Sequence, residues 1–115
     1  MRRNLKVLAM VGVMGWASVS DARAQDVRRF YDGNWLFRIC GSQQTRERCL
    51  GYVAGAADGI AGGAPRTFCI PERVTLNQVV DVVMNWLRRF PQMRQVATAD
   101  VIVNVAISEA WPFTP

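Results

Sequence analysis

The chain has 115 residues, half of them apolar, with 14 lysines and arginines against 9 acids, no histidine and a formal net charge of +5. That length suits one domain, and the lack of histidine removes the commonest general base and metal ligand. The basic excess does not point to nucleic acid, because it gathers at the N-terminus.

Arg2, Arg3 and Lys6 precede an apolar run over 7–19 that is too short to span a bilayer, and Ala22-Arg23-Ala24 supplies a small-x-small cleavage pattern. Residues 1–24 therefore read as a cleavable signal peptide. The arginine pair hints at twin-arginine export, although "RRNLK" fits that signal only in part. No cysteine sits at the cleavage point, so neither a lipid anchor nor membrane association is expected afterwards, and the expected destination is the periplasm. The remaining domain, 25–115, keeps ten arginines and eight acids, a net charge of +2, and no lysine. A sequence-independent nucleic-acid binder needs a dense basic stripe, and this domain has none.

A domain of this size buries only about 60–65% of its unfolded surface, so a covalent staple would help. Export permits disulfides. Cys40, Cys49 and Cys69 remain after cleavage, an odd number that leaves at least one thiol unpaired or bridged between chains.

In chain order, 25–32 reads as a polar lead-in. A short helix is expected over 33–40, with Trp35, Leu36 and Ile39 on one side, and "GSQQTRER" breaks it. Ser42 and Thr45 are both plausible N-caps for a second helix over 45–61. Its apolar face is Cys49, Leu50, Tyr52, Val53, Ala56, Ala57 and Ile60. A bridge between Cys40 and Cys49 would close the intervening turn and contribute roughly 2.5–3 kcal/mol by restricting the unfolded chain, leaving Cys69 over. "GGAPRTF" then forms a loop. The third helix has a capping box, Thr75-x-x-Gln78, with Val74 and Val79 placed as a hydrophobic staple. Leu76, Val79, Val80, Val83, Trp86, Leu87 and Phe90 trace one stripe, Arg88 and Arg89 suit the last turn, and Pro91 stops the helix. The segment "TADVIVNVAISEAWPF" has a β-branched run that would serve a strand. Thr98 as cap and Val103, Ala106, Ile107, Ala110 and Trp111 at a period of 3.6 favour a helix. The fold class expected is all-α, a small four- to five-helix bundle stapled by one disulfide.

Gly51, Gly55 and Gly59 fall four apart within the second helix. Residues so spaced stack along one face, and each interior glycine costs about 1 kcal/mol relative to alanine. The expectation is close packing of a neighbouring helix against this bare strip; the alternative is a groove or self-association face. Asp58, near the helix end where a carboxylate opposes the dipole, either has a specific partner or is simply solvated.

Catalysis is not expected. The eight carboxylates of 25–115 form no obvious pair, no base is available to activate a cysteine, and the cysteine spacing suits neither zinc nor haem. No metal or cofactor is implied.

"CLGYVAGAADGIAG", "FCIPERVTLNQVVDVVMNWLRRFPQMR" and "AISEAWP" together resemble the Tai-type immunity proteins, small exported proteins associated with amidase effectors of type VI secretion. The likeness spans about 35–112. It implies an all-α periplasmic protein, often a homodimer, that occupies the cleft of a peptidoglycan amidase and excludes substrate sterically. Loops between helices would project the few desolvated anchors that tight binding requires. Exposure and chemistry, not a matched binding motif, nominate Arg66, Thr67 and Phe68 in one loop and Gln92, Met93 and Arg94 in the next. The family usually ends in aromatic-Pro-Cys, whereas this chain has Trp111-Pro112-Phe113; the missing cysteine would be the lost partner of Cys69. The rival functions are a general periplasmic helical chaperone or envelope adaptor, which would expose broad apolar surface, and a structural oligomer built on the glycine row.

Overall fold

A computed structural model of the chain describes residues 29–115; the expected signal peptide lies outside the described residues. Among the described residues there are four α-helices: α1 (Gly33–Cys40), α2 (Arg46–Ala61), α3 (Leu76–Arg89) and α4 (Ala99–Ala110), with short 3-10 turns at Gln43–Thr45 and Pro91–Met93. Among the described residues no strand forms; two isolated β-bridges, Asp32 with Thr98 and Phe68 with Pro112, tie segments flanking the helices to one another. The all-α bundle is as the periodicity requires, including a helix rather than a strand for the last segment.

Each helix starts and stops for a local reason. The Asp32 carboxylate accepts the Trp35 N–H at 2.9 Å and caps α1. Ser42 caps the first 3-10 turn, accepting from the Gln44 N–H. Thr45 precedes α2 but caps nothing with its side chain; its hydroxyl donates instead to the Ile39 carbonyl at 2.7 Å, fastening the α1–α2 turn. The capping box of α3 is complete: the Gln78 N–H donates to the Thr75 hydroxyl at 3.2 Å, and the Thr75 N–H donates to the Gln78 side chain at 2.8 Å. Pro91 ends that helix, as it cannot donate to a helical carbonyl.

The core is one cluster to which all four helices contribute: Leu36 from α1, Cys49 and Val53 from α2, Val80, Val83 and Leu87 from α3, and Ile102, Val103 and Ile107 from α4, all fully buried. Cys40 and Cys49 form the expected disulfide, with Cα atoms 5.0 Å apart. Cys69 is free and exposed. At Gly33 the backbone of α1 runs so close to its neighbours that a Cβ would lie 2.6 Å from Ile102 Cδ1 and 2.7 Å from the Arg94 backbone. No described helix is long and apolar enough to cross a membrane.

The glycine row is where the structure departs from expectation. Gly51, Gly55 and Gly59 are exposed, and a Cβ built on any of them meets nothing within 4 Å. No described helix packs against them, so the close-packing reading of Gly51, Gly55 and Gly59 is corrected among the described residues. The reason is angular. A helix turns about 100° per residue, and each glycine follows a buried core residue (Cys49, Val53, Ala57) by two positions. The strip therefore points about 200° away from the core.

Candidate partner-binding surface

The two loops nominated from sequence do not form one surface. The first joins α2 to α3 and pairs, at Phe68, with Pro112 beyond the end of α4. The second joins α3 to α4 and is bonded to the start of α1: the Asn34 N–H donates to the Arg94 carbonyl at 2.8 Å and the Gly33 N–H to the Ala97 carbonyl at 3.1 Å. The loops thus sit at opposite ends of α4, whose twelve residues span roughly 18 Å.

Their residues differ in availability. Arg66 and Thr67 are exposed. The Arg66 guanidinium lies 5.6 Å from the Phe113 ring centre, and the Thr67 hydroxyl bonds the Asn104 side chain at 2.8 Å. Phe68 is only 5% exposed and belongs to the core, so its ring does not project as an anchor. In the second loop Gln92 is exposed, while Met93 is half-buried against the core. Arg94 is half-buried and turned inward: its Nε donates to the Leu87 carbonyl at 2.8 Å, and its guanidinium lies 3.7 Å from the Phe37 ring centre. That carbonyl needs a donor because it falls in the last turn of α3, where intrahelical partners run out. Arg94 thus joins α1 to the end of α3.

A cleft of about 250 Å³ beside the first loop is lined by Ala57, Asp58, Ala61, Arg66, Phe68, Cys69 and Ile70. Asp58 is exposed there, on the same rim as Arg66 but in no ion pair among the described residues.

A second concentration of exposed chemistry lies at the other end, and the sequence reading did not single it out. Residues 29–32 are not a loose lead-in. They lie along the start of α4, where the Ala99 N–H donates to the Tyr31 carbonyl at 2.9 Å and Arg29 Nε pairs with Asp100 Oδ2 at 3.2 Å. This places Tyr31 on Trp35, with ring centres 3.8 Å apart and planes 18° from parallel. Tyr52 of α2 meets both rings edge-on, at 5.9 Å and 5.1 Å. Such stacked and edge-on pairs are favourable beyond their burial. Beside them a cleft of about 290 Å³ is lined by Arg29, Phe30, Tyr31, Tyr52 and Asp100. An adjoining one of about 430 Å³ is lined by Arg29, Phe30, Tyr31, Asp32, Trp35 and Thr98.

The electrostatics of this corner are set by Asp100. Burial pushes its carboxyl up, but hydrogen bonding from Thr98 and Arg29, the Arg29 charge and the Val101 N–H outweigh that and hold it below the usual carboxylate value. Its Oδ1 atom is nevertheless buried with no hydrogen bond of ordinary geometry. Burial, and then the Asp100 charge, push the Tyr52 phenol up, so its hydroxyl stays neutral at any ordinary pH. The one sequence signal for this cluster was the spacing of Tyr31 and Trp35, four apart and straddling the cap of α1. Nothing local indicated Asp100.

The arrangement offers stacking surfaces, hydrogen-bond donors and acceptors, and no assembled nucleophile and base. Tyrosine, tryptophan and arginine are the residues enriched where protein partners bind most strongly. A family model described as Rap1a immunity proteins matches residues 32–113. No curated protein and no solved structure matches the chain. The matched stretch runs from the cap of α1 to the residue after the Phe68–Pro112 bridge, and so takes in every helix described above: the chain belongs to the Rap1a immunity protein family.

Proposed function

We propose that this protein is an exported, periplasmic immunity protein that binds a peptidoglycan amidase delivered by type VI secretion and blocks its cleft sterically. The family match over 32–113 carries this reading; the resemblance of the "CLGYVAGAADGIAG" and "FCIPERVTLNQVV" stretches to Tai-type proteins adds the amidase and the secretion system. A disulfide-stapled bundle suits the role, because a rigid inhibitor loses little conformational freedom on binding. Arg66, Thr67 and Gln92 remain the exposed loop positions through which such a protein would reach into a cleft.

The test is protection. Cells exporting a candidate amidase to the periplasm should lyse, and co-export of this chain should prevent lysis and yield a stoichiometric complex on purification. Protection without a complex, or capture of many unrelated envelope proteins in place of one, would refute the reading, and the second outcome would favour a chaperone. A homodimer is part of the proposal, read by light scattering on the purified protein.

A further inference from the structure

We propose that Arg94, set in the seam between α1 and α3, is a receptor for a carboxylate, the side chain of an aspartate or glutamate on the protein partner. This rests on the immunity reading only for who carries the carboxylate; the recognition chemistry belongs to this chain.

The guanidinium is held in place before any ligand arrives. The Arg94 carbonyl accepts the Asn34 N–H at 2.8 Å. Its Nε donates to the Leu87 carbonyl at 2.8 Å, and the guanidinium carbon lies 3.7 Å from the Phe37 ring centre. An arginine on an open surface gives up much side-chain freedom on binding, whereas here the fold has already restricted it. What is left over is the Nη edge. Among the described residues neither Nη atom has a hydrogen bond or an ion pair. Neither is among the buried atoms that lack a partner, so both reach solvent. Two parallel N–H groups on a flat fork are the geometry that a carboxylate fills with both of its oxygens.

The surroundings add charge of the same sign. A Cβ at Gly41 would lie 3.8 Å from Met84 Cε, so the end of α1 rests on the middle of α3. The Asn34–Arg94 bond sets the start of α1 beside the loop that follows α3. Arg38 is three residues before Gly41 and Arg88 four after Met84, so both lie on the faces that line this seam. Both are exposed. The Arg38 guanidinium has no ion pair among the described residues, and Arg88 bonds only the Asn85 side chain. The acids of the neighbourhood do not neutralise them. Asp32 caps α1 at its far end from Gly41, Glu109 is held by Arg89, and Asp81 lies two turns before Arg88, about 10 Å along α3.

These features select among ligands. A cation would meet three guanidinium groups. An apolar side chain would cover the Nη atoms and leave them without acceptors, a condition that costs free energy. A carboxylate lies flat in the plane of the fork and brings the charge that Arg38 and Arg88 attract.

The experiment reads this chain alone. The purified protein is titrated with N-acetyl-aspartate methylamide at constant ionic strength, and with the asparagine analogue as a neutral isostere, while the Arg94 Nε–H and Phe37 ring resonances are followed. The expected result is a saturable shift with the aspartate compound only. Arg94→Lys keeps the charge but loses the fork, and should weaken binding on the order of tenfold. Arg38→Gln with Arg88→Gln should weaken it about threefold and reduce its salt dependence. Arg73→Gln, ahead of the opposite end of α3, should change nothing. Circular dichroism separates loss of binding from loss of fold, and if Arg94→Lys does not fold, the Arg38 and Arg88 pair decides. Equal shifts with the asparagine compound, no saturation, shifts as large at Arg73 as at Arg94, or binding unmoved in every folded variant would overturn the proposal. Tighter binding of inorganic phosphate than of the aspartate compound would overturn it too, by giving the fork to a phosphate. Those failures leave protection by the intact protein untouched, whereas failure to bind an amidase leaves the titration standing.

Discussion

Replacing Gly51, Gly55 and Gly59 by alanine should stabilise the protein. A Cβ at each position enters open space, so no steric cost opposes the gain in helix propensity. That gain is about 0.8–1 kcal/mol per glycine, or roughly 2–3 kcal/mol for the triple variant if the three add. For a domain of this size each kcal/mol moves the melting temperature by about 4–8 °C, so the triple variant should melt about 10–20 °C higher. Gly33→Ala is the internal control. Its Cβ would lie 2.6 Å from Ile102 Cδ1 and 2.7 Å from the Arg94 backbone, and such overpacking typically costs about 1–3 kcal/mol. The assay is thermal and urea unfolding by circular dichroism over a hundredfold range of protein concentration. A Gly55→Ala variant less stable than the parent at every concentration would mean the strip is covered within the fold, and the reasoning would fail. A loss confined to high concentration would mean a second copy covers it.

Opening the Cys40–Cys49 bridge, by Cys40→Ser with Cys49→Ser, should cost roughly 2.5–3 kcal/mol in urea unfolding, and reductant should have no further effect on that variant. Arg94→Ala should cost about 2 kcal/mol, the combined loss of a charge-assisted hydrogen bond to the Leu87 carbonyl and of the contact with Phe37; a neutral result would show that solvent replaces both. Thr75→Ala should cost about 1 kcal/mol, since it removes the hydroxyl that accepts the Gln78 N–H, with the effect read as a lower urea midpoint at unchanged slope. Asp100 makes a small contribution with a defined sign. Its carboxyl is depressed in the folded state, so the stability it contributes is present above the ordinary carboxylate value and lost as pH falls through the folded one. Asp100→Asn should flatten that part of the acid limb of a stability profile, by well under 1 kcal/mol because the Arg29 pair is partly exposed.

Most of the fold was legible because its signals are local. The Thr75–Gln78 box and Pro91 bracket α3 without reference to anything distant. The helical nature of α4 follows from residues three and four apart, although its β-branched content pulls toward a strand. The glycine strip was legible too, but was assigned to the wrong partner. A helix whose core face holds Cys49, Val53 and Ala57 cannot also bury positions two residues later, so the two expectations exclude each other on angle alone. The candidate surface was harder to see. Arg29 and Asp100 are 71 positions apart, and no periodicity joins them. Arg94 read as a loop arginine and therefore as exposed; its inward turn follows from an unpaired carbonyl on α3, which exists only once the helix end and the loop are placed together. Phe68 failed as a projecting anchor because its bridge to Pro112 draws the ring into the core.

The two ends of the described chain are each stitched down beside a candidate surface: residues 29–32 along the aromatic corner, and Phe113 against the first loop, where its N–H donates to the Thr67 carbonyl. Affinity tags and fluorescent labels are ordinarily attached at termini on the assumption that they trail away from the working parts. Here a tag joined after Pro115 would emerge two residues past Phe113, next to Arg66 and Thr67, and one joined directly ahead of Arg29 would crowd Tyr31. Binding measured with either handle alone would confound a masked surface with an absent one, so cleavable tags at alternate ends are the appropriate design for every experiment above.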